Sequence, residues 1–221
     1  MNSIEKLIQI FSQFPGIGPR QARRFVYYLL TRANGTLDEL SENIKDLKND
    51  VVMCADCHRF FELQHKNKDY NDGHCKCKIC IDQSRDHSIL MIVQRDVDLE
   101  SVEKNGGFNG IYFVLGGSVP IMEKEPEKRI RIKELKIFID KKIKDGLKET
   151  ILGVNWNPEG ENTADYVRKQ IEPLLKNTQS TSAKLRRDEV KISHLGKGLS
   201  MGTELEYADS DTLKNALRNR S

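Results

Sequence analysis

Hydrophobic and polar positions alternate along the first fifty residues with the period of a helix. Ile4, Leu7, Ile8, Phe11 and Phe14 recur at spacings of three and four, which puts them on one face. Pro15-Gly16-Ile17-Gly18-Pro19 then breaks the pattern. Ala22, Phe25, Val26, Leu29 and Leu30 resume it in a second amphipathic stretch, which Asn34-Gly35 is expected to end. A third helix is expected within Thr36–Leu47. The pattern is a helix–hairpin–helix with a five-residue connection. Residues 53–81 are polar and turn-rich, with little to bury beyond Phe60, Phe61 and Leu63, so this piece needs a staple.

From residue 88 the pattern changes again. Ile89–Val93 is a continuous apolar run, the mark of a strand buried on both faces. Ile111–Leu115 and Thr150–Val154 are further strands, and helices are expected near Leu99–Lys104, Leu135–Ile143 and Thr163–Leu175. Strands alternating with helices predict an α/β layer on a parallel sheet. Residues 176–183 read as a loop, Val190–Ser193 as a strand, and DTLKNALRNRS as a short helix capped by Asp211. The expected divisions are 1–52, 53–81, 82–180 and a C-terminal strand and helix segment at 181–221.

Composition narrows the function classes. The 221 residues carry a net charge of +3, and no apolar run approaches the ~20 residues that span a bilayer. The start, MNSIEKLIQIF, has Glu5 inside its pattern and no basic leader, so it reads as a helix and the protein as cytoplasmic. A charge of +3 is no nucleic-acid signature, so any basic surface has to be local.

The five cysteines, Cys54, Cys57, Cys75, Cys77 and Cys80, share a 27-residue window. Cys54–Cys57 and Cys77–Cys80 are two C-x-x-C knuckles with 19 residues between them, the spacing of structural zinc sites. Two knuckles close a tetrahedral shell of four thiolates with no open position, so one structural zinc per chain is expected. Redox thiols or inert buried cysteines are the other possibility, though neither needs paired knuckles. Cys75 in place of Cys77 makes a poorer C-x₄-C, and His58, His65 and His74 read as solvated neighbours.

In PGIGPRQARR, Gly16 and Gly18 permit a tight turn and close backbone approach. The turn feeds a helix N-terminus, where free N–H groups favour an anion, and Arg20, Arg23 and Arg24 follow at once. Such a site suits a phosphodiester backbone without reading bases. The same residues also suit a plain helix–helix turn with solvated arginines. No phosphate-cradling P-loop is present, and no nucleophile–base arrangement involving His87 or His194 can be argued.

In this order, the hairpin, the four cysteines, IDQSRD, VQRDVDLESVEK, GIYFVLGG, NPEGENTADYV and GLSMGTELEYADSDTLKNAL resemble the bacterial recombination mediator family RecR over essentially the whole chain. The resemblance implies a Toprim domain in the middle. Catalytic Toprim proteins bind Mg²⁺ through a Glu after the first strand and a later D-x-D. Here those places hold Gln94 and Asn155-Trp156-Asn157, all neutral at the ligand positions, while Glu159 and Glu161 are retained. Asp96, Asp98, Asp209 and Asp211 read as surface acids. No catalytic residue is therefore expected. The competing expectation is an Mg²⁺-dependent Toprim nuclease or primase-like enzyme. Phe113, Val119-Pro120 and Ser200 also depart from the family pattern.

The resemblance implies repair of single-strand gaps and breaks. The protein would act with RecO, and in some settings RecF, to load recombinase on single-stranded or gapped DNA. It also implies phosphate contacts by Gly16, Gly18, Arg20 and Arg24, on single-stranded, gapped or double-stranded DNA, and a zinc held by Cys54, Cys57, Cys77 and Cys80. Dimers or ring-shaped tetramers and a bacterial cytoplasm, close to the nucleoid, complete the expectation.

Overall fold

The structure is a computed structural model that describes residues 2–63, 75–176 and 190–196. The chain divides into two units, one formed by the residues up to Val52 with a short return at Glu62, the other by Met53–Phe61 and the remainder. The expected C-terminal helix with Asp211, the loop beyond Lys176, His65 and His74 lie outside the described residues.

The first unit is helical. α1 spans Ser3–Phe11 and starts with a capping box, in which Asn2 and Glu5 satisfy each other's backbone N–H groups. α2 spans Pro19–Leu30 and α3 spans Asn34–Asp50. Ala22 and Val26 of α2 are buried, and Phe25 meets Phe11 of α1 edge to face at 6.1 Å. The boundary expected at Asn34-Gly35 moves. α2 stops four residues earlier, at Leu30, where the Thr31 hydroxyl and N–H turn back to Tyr28 O. Ala33 is extended, and Asn34-Gly35 become the first turn of α3. First-turn N–H groups lack intrahelical acceptors in any case, so poor helix formers are tolerated there.

The second unit is built on a sheet. β1 (Val51–Met53) and β2 (Phe60–Glu62) pair as a two-stranded ribbon where the chain passes from one unit to the other. A short helix, α4, follows at Lys78–Ile81. The main strands are β3 (Asp86–Val93), β4 (Gly110–Val114), β5 (Glu149–Gly153) and β6 (Lys191–His194), all parallel in the order β4-β3-β5-β6. Crossovers are made by α5 (Asp96–Asn105), α6 (Ile132–Lys144) and α7 (Pro158–Lys176).

The apolar runs are continuous because both faces of the sheet are covered. Leu90, Ile92, Ile111 and Phe113 face one way and pack against Leu135, Phe138 and Ile139 of α6 and Val167 and Ile171 of α7. Met91, Val93, Tyr112 and Val114 face the other way. There they meet Leu99 of α5 together with Cys54, Cys57, Cys77 and Ile79. The cysteine segment is thus one of the covering layers of the sheet, and three of its sulfur-bearing residues are no more than 1% exposed. A piece with no core of its own is stabilised by sharing this one.

Candidate nucleic-acid interface and metal centre

The hairpin between α1 and α2 is set by two residues. Phe14 O accepts the Ile17 N–H at 3.0 Å, with Pro15 and Gly16 between them and Gly16 at φ +77°. Proline followed by a residue at positive φ is the pattern of a type II turn, and the second position needs glycine. Gly18 differs, because its φ is −84° and a Cβ there would meet nothing within 4 Å. Neither conformation nor packing asks for glycine at that position, so what the missing side chain leaves is an uncovered backbone.

Gly18 is the N-cap of α2 and Pro19 its first residue. The first intrahelical bond runs from Ala22 N–H to Gly18 O, so the Arg20 and Gln21 N–H groups precede it at the helix end. Gly18, Arg20, Gln21 and Arg24 line a depression of ≈ 530 Å³ there. A second one, of ≈ 850 Å³, is lined by Arg20, Arg23, Arg24, Tyr27, Tyr28 and Thr31. Arg24 reaches Gln21 Oε1 at 3.4 Å, and among the described residues none of Arg20, Arg23 and Arg24 pairs with a carboxylate. Residues 12–32 hold four arginines and no acid, so the positive field is concentrated here despite the chain's net +3. The structure brings Gly18, Arg20 and Arg24 together, while Gly16 shapes the turn. Tyr27 and Tyr28, which the sequence reading passed over, share this surface; their spacing of three and four from Arg24 was the available signal.

The four expected cysteines also converge. The ligand atoms of Cys54, Cys57, Cys77 and Cys80 lie within 4.8 Å of one another. Cys54 Sγ is 3.7 Å from Cys80 Sγ, and Cys57 Sγ is 3.6 Å from Cys77 Sγ. A tetrahedral ion with metal–sulfur bonds of about 2.3 Å requires sulfur–sulfur edges of about 3.8 Å, so the set fits a closed S₄ shell. Hydrogen bonding with the Cys57, Cys77 and Cys80 thiols, together with the bond donated by the Cys77 N–H, holds the Cys54 thiol far below its ordinary range. The first sulfur is thereby favoured as a thiolate, the form a metal binds.

Local bonds fix the knuckles. Ala55 N–H binds Cys75 O at 2.8 Å, and Lys76 Nζ reaches Asp56 at 2.7 Å, tying the second segment to the first. Cys75 thus takes part through its carbonyl and is not one of the four converging sulfurs. His58 sits at φ +61°, with its ring 5.2 Å from Phe113 and Nδ1 against Asp56 O, turned to the sheet and not into the sulfur group. Val114 N–H donates to Cys57 O, and Arg131 Nη1 bridges His58 O and Val114 O at 2.9 and 3.1 Å. Arg131 escaped the sequence reading because it lies far along the chain and carries no periodic signal.

At the carboxyl end of the sheet, where α/β folds bind ligands, the Toprim positions come together as amides. Gln94 is 2% exposed, and its Oε1 accepts the Asn155 N–H at 3.2 Å. Asn157 Oδ1 accepts the Gly160 N–H at 2.7 Å and so caps α7. Gly160 packs onto the Asn155 carbonyl, which would lie 2.0 Å from any Cβ. The nearby acids have structural partners. Asp96 takes the Phe60 N–H, Asp98 caps α5 through the Arg95 N–H, and Glu159 takes the Ser118 hydroxyl. Among the described residues the only potential metal-holding group is the four-cysteine set.

Comparison with known proteins matches three parts of the chain to family models. A helix-hairpin-helix model of RecR matches residues 4–48, a Toprim domain model residues 88–194, and a RecR C-terminal model residues 198–221. "Recombination protein RecR" of Rhizobium meliloti (strain 1021) is 34% identical over 99% of this chain and 94% of its own. The proteins of the same name from Staphylococcus haemolyticus (strain JCSC1435) and Lactobacillus helveticus (strain DPC 4571) are 33% and 32% identical, each over 99% of this chain and 96% of their own. Among the described residues no helix is long and apolar enough to cross a membrane.

Proposed function

This chain belongs to the RecR family of recombination proteins, and from that premise we propose that it is a DNA-binding mediator of recombinational repair. Its contact with DNA is made by the phosphates. The arginine-lined N-terminus of α2 carries the proposal, because three cations without carboxylate partners surround a helix end whose glycine cap leaves the backbone open. Phosphate oxygens take the Arg20 and Gln21 N–H groups, while Arg20 and Arg24 neutralise their charge. No base edge is read, which suits a protein that must act at any gap.

The four cysteines hold zinc, whose closed tetrahedral thiolate shell matches the sulfur spacings. The metal's contribution is structural, pinning the cysteine layer to the sheet. Catalysis is not the role of the Toprim domain. The positions that supply carboxylates in Mg²⁺-dependent relatives are Gln94, Asn155 and Asn157; Gln94 Oε1 accepts the Asn155 backbone N–H, Asn157 Oδ1 accepts the Gly160 N–H, and a neutral amide offsets none of the metal's charge. The sheet and its edges instead serve partners of the RecO and RecF kind and self-association into dimers or rings, in the bacterial cytoplasm.

Binding to a labelled gapped duplex, measured from 50 to 200 mM salt, tests the hairpin. Arg20→Ala with Arg24→Ala should weaken binding and flatten the log–log salt slope by about 1.5, close to two lost phosphate contacts at 0.7–0.9 each. An unchanged affinity and slope would exclude the hairpin as the contact. Robust Mg²⁺- or Mn²⁺-dependent cleavage or synthesis would overturn the non-catalytic assignment.

A further inference from the structure

We propose that Tyr27, flanked by Tyr28, is a stacking platform for an unpaired base. On this account α2 grips single-stranded nucleic acid by its phosphates and by one base. This rests on the phosphate contact proposed for the hairpin. At about 100° per residue, Arg20, Arg24, Tyr27 and Thr31 fall within an arc of about 60°, and the buried Ala22 and Val26 lie on the opposite side. Arg23 lies about 60° to the other side of Arg20, so the three arginines span about 100° and Tyr27 falls inside that span.

Tyr27 is 55% exposed and Tyr28 56%. The core of the unit is met by Val26 and Phe25, so packing does not account for two large rings on this face. The Arg32 guanidinium lies over the Tyr28 ring, 4.1 Å from its centroid, which extends the flat cationic surface beside Tyr27. Cations complement a polyanion, and an exposed ring among them matches its bases. Every base has a π-face, so stacking is tolerant of sequence. Duplex bases already stack on one another, so Tyr27 distinguishes strands with unpaired bases from closed duplex. Tyr27 is three residues from Arg24, about one helical turn, which keeps a base within reach of a bound phosphate.

The full zinc-loaded chain is titrated onto a labelled 20-mer DNA strand, its ribonucleotide counterpart and the matching duplex. Tyr27→Ala should weaken single-strand binding by about tenfold, leave duplex binding within about twofold and keep the salt slope. Tyr27→Phe should bind like wild type, because the ring and not the hydroxyl acts. A 2-aminopurine strand should be quenched by wild type and not by Tyr27→Ala. An equal loss on DNA and RNA supports base stacking whatever the sugar, and a loss on DNA alone supports it with DNA as the ligand. Equal losses on single strand and duplex would overturn the proposal. So would a change of oligomeric state in Tyr27→Ala by light scattering, because the face would then belong to a second copy of the chain. If the Arg20→Ala, Arg24→Ala pair binds like wild type while Tyr27→Ala does not, the phosphate contact fails and the stacking stands.

Discussion

Replacing Cys57 by alanine isolates what the cysteine group does. The side chain is fully buried and its sulfur is 3.6 Å from that of Cys77, so removal opens one corner of the shell. Three sulfurs cannot close a tetrahedron, and zinc affinity falls steeply. Metal held at 100 to 1,000 times its dissociation constant stabilises the folded state by about 2.7–4.1 kcal/mol, and that stabilisation disappears with the metal. At about 2–4 °C per kcal/mol for a chain of this size, the melting point should fall by about 10 °C. The change should appear in the second unit, which contains Trp156, the only tryptophan, as a fluorescent reporter. Elemental analysis of wild type should give one zinc per chain, and of Cys57→Ala almost none. Wild type treated with a chelator should melt like the variant, which guards against a folding defect of the substitution itself. Cys75→Ser should keep its metal, because Cys75 holds the knuckle through its carbonyl. A full equivalent of zinc in Cys57→Ala, or its loss in Cys75→Ser, would refute the ligand set. A wild-type protein with neither zinc nor iron would refute the staple altogether.

Two other measurements probe different layers. Against the desolvation of burial, hydrogen bonds from Arg85 and Tyr112 hold the Glu103 carboxyl below its ordinary range. A lowered folded-state pKa gives stability that is complete above the unfolded value of about 4.3 and is lost as pH falls through the folded value. Glu103→Gln should therefore cost about 2 kcal/mol at pH 7, with the gap to wild type closing on acidification; an equal gap at pH 7 and pH 3 would contradict the charged pairing. At the hairpin, Gly16→Ala forces a side chain into positive φ and should destabilise the first unit by about 1–2 kcal/mol, read by hydrogen exchange. Gly18→Ala should leave exchange unchanged yet weaken DNA binding severalfold, because on the proposed contact its Cβ would stand in the path of a phosphate; wild-type binding by Gly18→Ala would show that the backbone is not approached.

Legibility followed the range of the forces. The runs at Ile89–Val93 and Ile111–Leu115 were readable because a strand buried on both faces has no polar positions to hide it. The knuckles were readable because metal geometry fixes their spacing. Helix starts were read late, at Leu99 and Thr163 instead of Asp96 and Pro158. First turns are polar by necessity, since capping groups such as Asp98 and Asn157 satisfy free N–H groups and carry no apolar period. The ribbon of β1 and β2, the Arg131 bridge and the placement of the cysteine layer on the sheet depend on contacts distant in sequence. Tyr27 is locally readable, but it falls outside the apolar stripe of α2.

The two units differ in what their residues leave unfinished. The second has a closed core on both sheet faces, and at the carboxyl end of its sheet Gln94 and Asn157 are engaged by backbone N–H groups. In the first, only Ala22 and Val26 are buried among the described residues, while Ile44 and Leu47 on α3 are 62% and 61% exposed. A hairpin that neutralises two to four phosphates binds weakly at physiological salt, because each contact is paid back in counterions when salt rises. Linking several hairpins raises affinity through effective concentration without any new contact. The apolar face of α3 is surface that assembly would bury, so the proposed self-association and the proposed DNA grip fall to the same unit. The low net charge fits the proposed role, in which one copy would let go of DNA readily and several copies would hold.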